Sequence, residues 1–318
     1  MSFSALLRWM SFWLWQGFVG LPAYAAASCV EQNVSVQVLG SGGPELDDGR
    51  ASTSYLIWHN NRARVLVDAG PGSSVNFGRS TAQFTDLDVI LLSHLHADHS
   101  SDLPAYIKGA YFSNRQRILP IYGPDKNTLM PSTTEFVERL FGAKGVYPYL
   151  SDNLPVPGDV PNNTEKFTLH AHDIPLTHDN VVRHRLSPNL SVSAMAVHHG
   201  PVAALAWRVN LAGCLISFSG DMSNQWHKLA MFAKESDLLV MHNAVPEQTN
   251  AIARNLHMPP SEIGNIAQQA KVKQLLLSHF MNRTNNVQSQ TVAIIQQHYA
   301  GKVSLADDLM HYKLGAFP

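Results

Sequence analysis

The stretch SHLHADHS, residues 93–100, sets three histidines and an aspartate within six positions. Residues 94 and 96 alternate, so in an extended segment their side chains share one side. The turn that follows can swing Asp98 and His99 toward a second point. Imidazole nitrogen and carboxylate oxygen are ligand types that zinc takes. Burying four such groups without a cation is expensive, and leaving them in water gives the spacing no purpose. The stretch reads as one wall of a metal site whose other ligands lie elsewhere in the chain.

Composition narrows that reading. The 318 residues include 16 histidines and two cysteines, so imidazole and carboxylate must hold any metal, because zinc-finger sites need more thiolate. The formal net charge is -1, which gives no long-range attraction to nucleic acid. The length suits one large domain or two modest ones with a substantial core.

The N-terminus has the order of a secretory signal. Arg8 is the only charge before Glu31, the apolar run WMSFWLWQGFVGL spans 9–21, and the small-residue run AYAAAS follows at 23–28. That apolar run falls short of the ~20 residues a spanning helix needs, and no later segment approaches that length. Residues 1–27 are expected to be a signal peptide and 28–318 the working domain, in the periplasm or secreted. Cys29 as a lipid-bearing residue is the weaker alternative, since Ala26-Ala27-Ser28 lacks the large aliphatic residue of such signals. Cys29 and Cys214 can pair in an oxidising compartment, but their positions in the sequence do not settle whether they meet.

Short apolar runs bounded by turn residues recur at 34–40, 53–58, 63–70, 87–94, 205–209, 214–221, 237–243 and 273–280. Their length and their β-branched and Leu content predict strands. DLPAYIKGAYF (102–112) and SEIGNIAQQAKV (261–272) read as helices. The Pro- and Asn-rich stretch 146–189 is expected to form surface loops and hairpins. Aromatic residues between 106 and 150 are expected in the core, with the lining of a substrate pocket as the alternative. The small clusters Arg115/Arg117 and Arg183/Arg185 are expected on solvated faces, with a role as anion guides the weaker alternative. The mixture predicts an α/β layered domain. His94, Asp221, His242 and His279 each fall at the end of an apolar run, where a core hands side chains to a crevice.

HLHADH resembles the HxHxDH signature of the metallo-β-lactamase superfamily, and four further motifs agree with it in order. VDAG (67–70) resembles the strand-end aspartate turn that precedes the signature. His199 in AVHHGPVAALAWRV resembles the isolated third-motif histidine, with His198 as competitor. Asp221 in SFSGD resembles the bridging carboxylate, and His279 in LLLSHF the last ligand. The resemblance implies an αββα four-layer sandwich and two divalent cations, zinc first and manganese or iron as alternatives. His94, His96 and His199 would hold one, Asp98, His99 and His279 the other, and Asp221 would bridge them.

Two cations, two carboxylates and a bridging hydroxide leave a net positive centre suited to hydrolysing anionic esters. Asp221 disfavours lactams, because the resemblance implies that true β-lactamases lack it. The opening VLGSGGPELDDGRASTSYLIW (38–58) resembles the ribonuclease Z and cyclic-nucleotide phosphodiesterase branch. His242-Asn243-Ala244 and His257-Met258-Pro259 stand where that branch carries His-Glu-Ala and His-Ser-Thr. Asp98, His257 and His242 are the catalytic candidates on that basis, although Asn243 cannot serve as an acidic partner. The expectation is an exported hydrolase of small anionic esters, phosphodiesters first. Arylsulfatase-like or lactonase-like activity is the alternative, and a non-catalytic metal-binding domain a further one. Nucleic acid is not expected as a partner, since no Gly/Pro/Lys-rich arm lies between Asp102 and His199; a homo-oligomer is left open.

Overall fold

The computed structural model describes residues 29–155, 167–177 and 179–315. The expected signal, residues 1–27, lies outside the described residues. The first sheet contains β1 (Val34–Gly40), β2 (Ser54–His59), β3 (Arg62–Val67), β4 (Val89–Leu91), β5 (Leu119–Pro124) and β6 (Leu169–Ile174). The second contains β7 (Val181–Ser187), β8 (Leu190–His199), β9 (Val202–Leu211), β10 (Cys214–Phe218), β11 (Leu238–His242), β12 (Gln274–Ser278) and β13 (Lys302–Leu305). The last strand, β14 (His311–Lys313), returns to pair antiparallel with β1, so each sheet has seven strands.

Each sheet is half antiparallel and half parallel. In the first, β1, β2 and β3 pair antiparallel while β3 to β6 run parallel. In the second, β7 to β10 are antiparallel and β10 to β13 parallel. Strands β11 and β12 are buried along their whole length, which is why their sequences are continuous apolar runs.

The sheets pack face to face through Val36, Tyr55, Ile57 and Val65 on one side and Ala194, Leu205, Trp207 and Phe218 on the other. Helix Pro260–Ala270 adds Ile263, Ile266 and Ala267 to this core. Opposite them, Leu39, Leu56, Leu66 and Ile90 meet helix residues Phe77, Leu103, Ile107 and Phe141. The layers are therefore α, β, β, α, as the motifs predicted. Trp207, fully buried on β9, donates its indole N–H to the Leu92 carbonyl at 2.9 Å, and the Leu205 amide donates to the Ser93 carbonyl at 2.8 Å. Both bonds tie the start of the signature segment to the opposite sheet.

Three expectations need correction. The stretch 146–189 is not only surface loop: β6 extends the parallel half of the first sheet and β7 edges the second. Arg115 is buried and donates to the carbonyls of Leu87 and Ile118, and Arg117 pairs with Asp88. That cluster fastens the loop before β4, because stranded carbonyls there need donors. Tyr106 and Phe141 are core, but Tyr111, Phe112 and Tyr149 are exposed around Lys108. Arg183 and Arg185 do lie on an exposed face. A disulfide joins Cys29 to Cys214, with Cα atoms 5.6 Å apart. Among the described residues no helix is long and apolar enough to cross a membrane.

Candidate metal centre

The topology brings the polar strand ends together. Because β10, β11 and β12 run parallel, Asp221, His242 and His279 all emerge at one edge. β4 from the facing sheet delivers residues 93–96 in an extended course that bridges to Ala204, followed by the short helix Ala97–Ser100 carrying Asp98 and His99. His199 is the last residue of β8. The helix needs room beside the VDAG turn: a Cβ on Gly70 would sit 2.2 Å from the Asp98 carbonyl oxygen. Asp68 and His279 adopt left-handed backbone, φ 57° and 56°, a conformation that costs a non-glycine residue about 1–2 kcal/mol.

Two ligand-type groups result. The side-chain nitrogens of His94, His96 and His199 lie within 4.8 Å of one another, as do the ligand atoms of His99, Asp221, His242 and His279. Asp98 Oδ2 joins the second group, 3.4 Å from His99 Nε2 and 3.2 Å from His279 Nε2. Asp221 stands between the groups. Its Oδ2 is 3.7 Å from both His199 Nε2 and His99 Nε2, and its Oδ1 is 3.4 Å from His279 Nε2.

Outer contacts fix ring orientation. Asp68 accepts from the Ser93 amide at 2.6 Å, the Ser93 hydroxyl at 2.7 Å and His99 Nδ1 at 2.9 Å. His199 Nδ1 donates to the Leu256 carbonyl at 2.9 Å. With their Nδ1 atoms so engaged, His99 and His199 turn Nε2 lone pairs inward. The Nε2 atoms of His94, His99 and His199 are buried without a hydrogen-bond partner. Native interiors satisfy such atoms, so three inward-facing orphaned acceptors beside carboxylates fit divalent cations.

The electrostatics agree. Burial pushes His94 well below the usual imidazole range, and the neighbouring His99 adds repulsion. Burial would raise the Asp221 carboxyl, but His279, His257 and His99 hold it well below the carboxylate range. Burial likewise works to raise Asp98, and His99 and His279 overcome it. His99 goes the other way: burial lowers it, yet Asp98, Asp221 and Asp68 lift it well above an ordinary histidine. Buried carboxylates demand positive charge, which divalent cations held by these groups would supply.

All seven residues expected as ligands meet at this edge. His199, not His198, faces it; His198 Nδ1 is 2.7 Å from the Ser223 hydroxyl and its ring packs on Trp226. His257 lies between His199 and His279, with Nδ1 4.0 Å from Asp221 Oδ2 and no hydrogen-bond partner. His242 is engaged within the protein at both ring nitrogens. Its Nδ1 is 2.7 Å from Asp221 Oδ1 and its Nε2 3.2 Å from the Tyr55 hydroxyl, so neither nitrogen is left for a substrate. Asn243 turns its amide to the Val245 carbonyl. Ser93, Tyr55 and the Leu256 carbonyl complete this outer layer, and their residue identities do not mark them out. Only the Asp68 turn carried a signal for this outer layer.

The family model described as "Beta-lactamase superfamily domain" matches residues 63–280. The ribonuclease Z of Clostridium acetobutylicum is 27% identical over 286 residues, covering 78% of this chain and 88% of that protein. The short form of human tRNase Z superposes with a TM-score of 0.65 at 19% identity, over 88% of this chain and 99% of that one. A diphosphatase of the PhnP family gives a TM-score of 0.58 at 18% identity, over 87% and 96%. With its signature, layers and strand-end cluster in place, the chain belongs to the metallo-β-lactamase superfamily.

Proposed function

We propose that the chain is a two-metal hydrolase of anionic esters, phosphodiesters first, exported to an oxidising compartment. The observation that carries the reading is Asp221 between two ligand groups, with Oδ2 at 3.7 Å from a histidine of each. His94, His96 and His199 would hold one cation, Asp98, His99 and His279 the other, and Asp221 both. Divalent cations there, zinc first by ligand type, would activate water and polarise a phosphoryl oxygen. Asp68 keeps His99 in the tautomer that faces the centre, as the Leu256 carbonyl does for His199. His257, with a free Nδ1 4.0 Å from Asp221, is placed to donate a hydrogen bond or a proton to the leaving oxygen.

Relatives named ribonuclease Z and diphosphatase support phosphorus–oxygen chemistry, and the former make nucleic acid a substrate to be tried, against the expectation from charge. The net charge of -1 favours small esters over a polyanion. Export is supported by the N-terminal pattern and by the Cys29–Cys214 disulfide, which persists in oxidising surroundings.

The test is a panel on zinc-loaded protein: a bis-aryl phosphate, a 3′-extended tRNA, an aryl sulfate, a lactone and a cephalosporin. Fastest turnover of the phosphate, lost on chelation and in Asp221→Ala, is the expected result. Turnover of the cephalosporin alone would overturn the substrate ranking, and tRNA as the sole substrate would overturn the preference for small esters. Metal binding with no turnover of any member would favour a non-catalytic domain.

A further inference from the structure

Two buried side chains beside the centre, Tyr55 and His242, are bonded to each other and, through His242, to Asp221. Tyr55 is fully buried on β2, and its hydroxyl lies 3.2 Å from Nε2 of His242. His242 ends β11, and its Nδ1 lies 2.7 Å from Oδ1 of Asp221. The proton positions follow from the acceptor. A carboxylate only accepts, so His242 Nδ1 carries the proton, and Nε2 is left with a lone pair 3.2 Å from the Tyr55 hydroxyl, which can donate to it. The ring planes are held as well: Tyr55 packs 5.3 Å from Phe218, and His242 stacks on His279 at 4.8 Å with planes 23° apart.

This chain of bonds crosses from the first sheet to the second and ends on the one carboxylate shared by both ligand groups. It draws Oδ1 of Asp221 toward His242 and leaves Oδ2 facing His99 and His199. Rotation of the carboxylate about its Cβ–Cγ bond would take Oδ2 away from one of the groups. We infer that Tyr55 and His242 are positioning residues that fix the rotation of Asp221 so that both cation positions fill. The inference rests on the two-metal reading and adds a specific dependence to it: metal affinity is set in part by a tyrosine hydroxyl on the opposite sheet.

The experiment is a double-mutant cycle read by zinc affinity, with chelator competition on the full chain and melting of the metal-free proteins as a check on folding. Tyr55→Phe, which removes one oxygen, is expected to weaken the more weakly held ion by about 10–100-fold, the usual effect of losing a hydrogen bond behind a metal ligand. His242→Ala should weaken it at least as much. His242→Asn, whose amide can take the place of Nδ1 as donor, should recover most of the loss. Adding Tyr55→Phe to His242→Asn should then change nothing, because no imidazole nitrogen remains for the hydroxyl to hold. Wild-type affinity for both ions in Tyr55→Phe overturns the inference. So does an equal loss with and without His242, which marks a packing effect. Should His242→Ala fail to fold, Tyr55→Phe and His242→Asn carry the same test. A wild-type protein that itself binds fewer than two ions overturns the two-metal reading before any variant is compared.

Discussion

His199 donates through Nδ1 to the Leu256 carbonyl and points a buried Nε2 into the cluster, while His198, one position earlier, turns to Ser223 and Trp226. Successive side chains on a strand leave on opposite faces, so the two neighbours serve different layers. His199→Ala should therefore lose bound metal and activity, whereas His198→Ala should keep both and shift stability by only about 1 kcal/mol, the scale of one hydrogen bond. Metal analysis beside a denaturant melt separates them, and equal metal loss in both variants would contradict the assignment. At this scale the sequence was informative where chemistry is rare and opaque where it is common. Histidines at alternate positions followed by aspartate have few uses, so the seven ligand-type residues could be named. Parity along the strand could not choose between His198 and His199; the family pattern did. Tyr55 in a strand looks like any core aromatic, and a backbone carbonyl such as that of Leu256 leaves no trace in residue identity at all.

Among the elements, the strands easiest to read were those buried on both faces. β11 and β12 are apolar runs, and β1 (VSVQVLG) alternates valine with Ser35 and Gln37 in the period-2 pattern of a strand. β5 (LPIYGP) carries two prolines and a glycine, β6 (LHAHDI) is half polar, and β7 and β8 intersperse polar with apolar residues where one face is wet. Their pairing partners hold them in the sheet, a non-local cause that local propensity does not carry. The same non-local packing holds the signature segment, through the Trp207 indole on β9 and the Leu92 carbonyl behind β4. Trp207→Phe keeps the ring contacts but strands a buried carbonyl, at a cost of about 1–3 kcal/mol. The loss should appear in equilibrium unfolding of the metal-free protein; an unchanged midpoint would show that the clamp contributes nothing.

Across the whole molecule, the disulfide fastens the chain ahead of β1 to the start of β10, so it joins one sheet to the other over a separation of 185 residues. Cross-linking so long a loop restricts the unfolded chain, and removing a native disulfide commonly costs about 2–5 kcal/mol. Cys214→Ser should lower the stability of the oxidised protein by that amount and make its melting insensitive to reductant, while wild-type melting falls on reduction. Equal melting of oxidised and reduced wild type would remove this support for an oxidising compartment. The layered architecture was legible because five motifs occur in order along one chain. The arrangement of the edge strands was not, since it depends on which sheet each segment joins.

The proposed hydrolysis needs both ligand groups on either side of Asp221. Its most direct measurement adds zinc stepwise to metal-free protein and follows hydrolysis of a bis-aryl phosphate at each addition. Turnover is expected to rise until the second equivalent is bound and then level off. Turnover complete at one equivalent, or none at two, would contradict it.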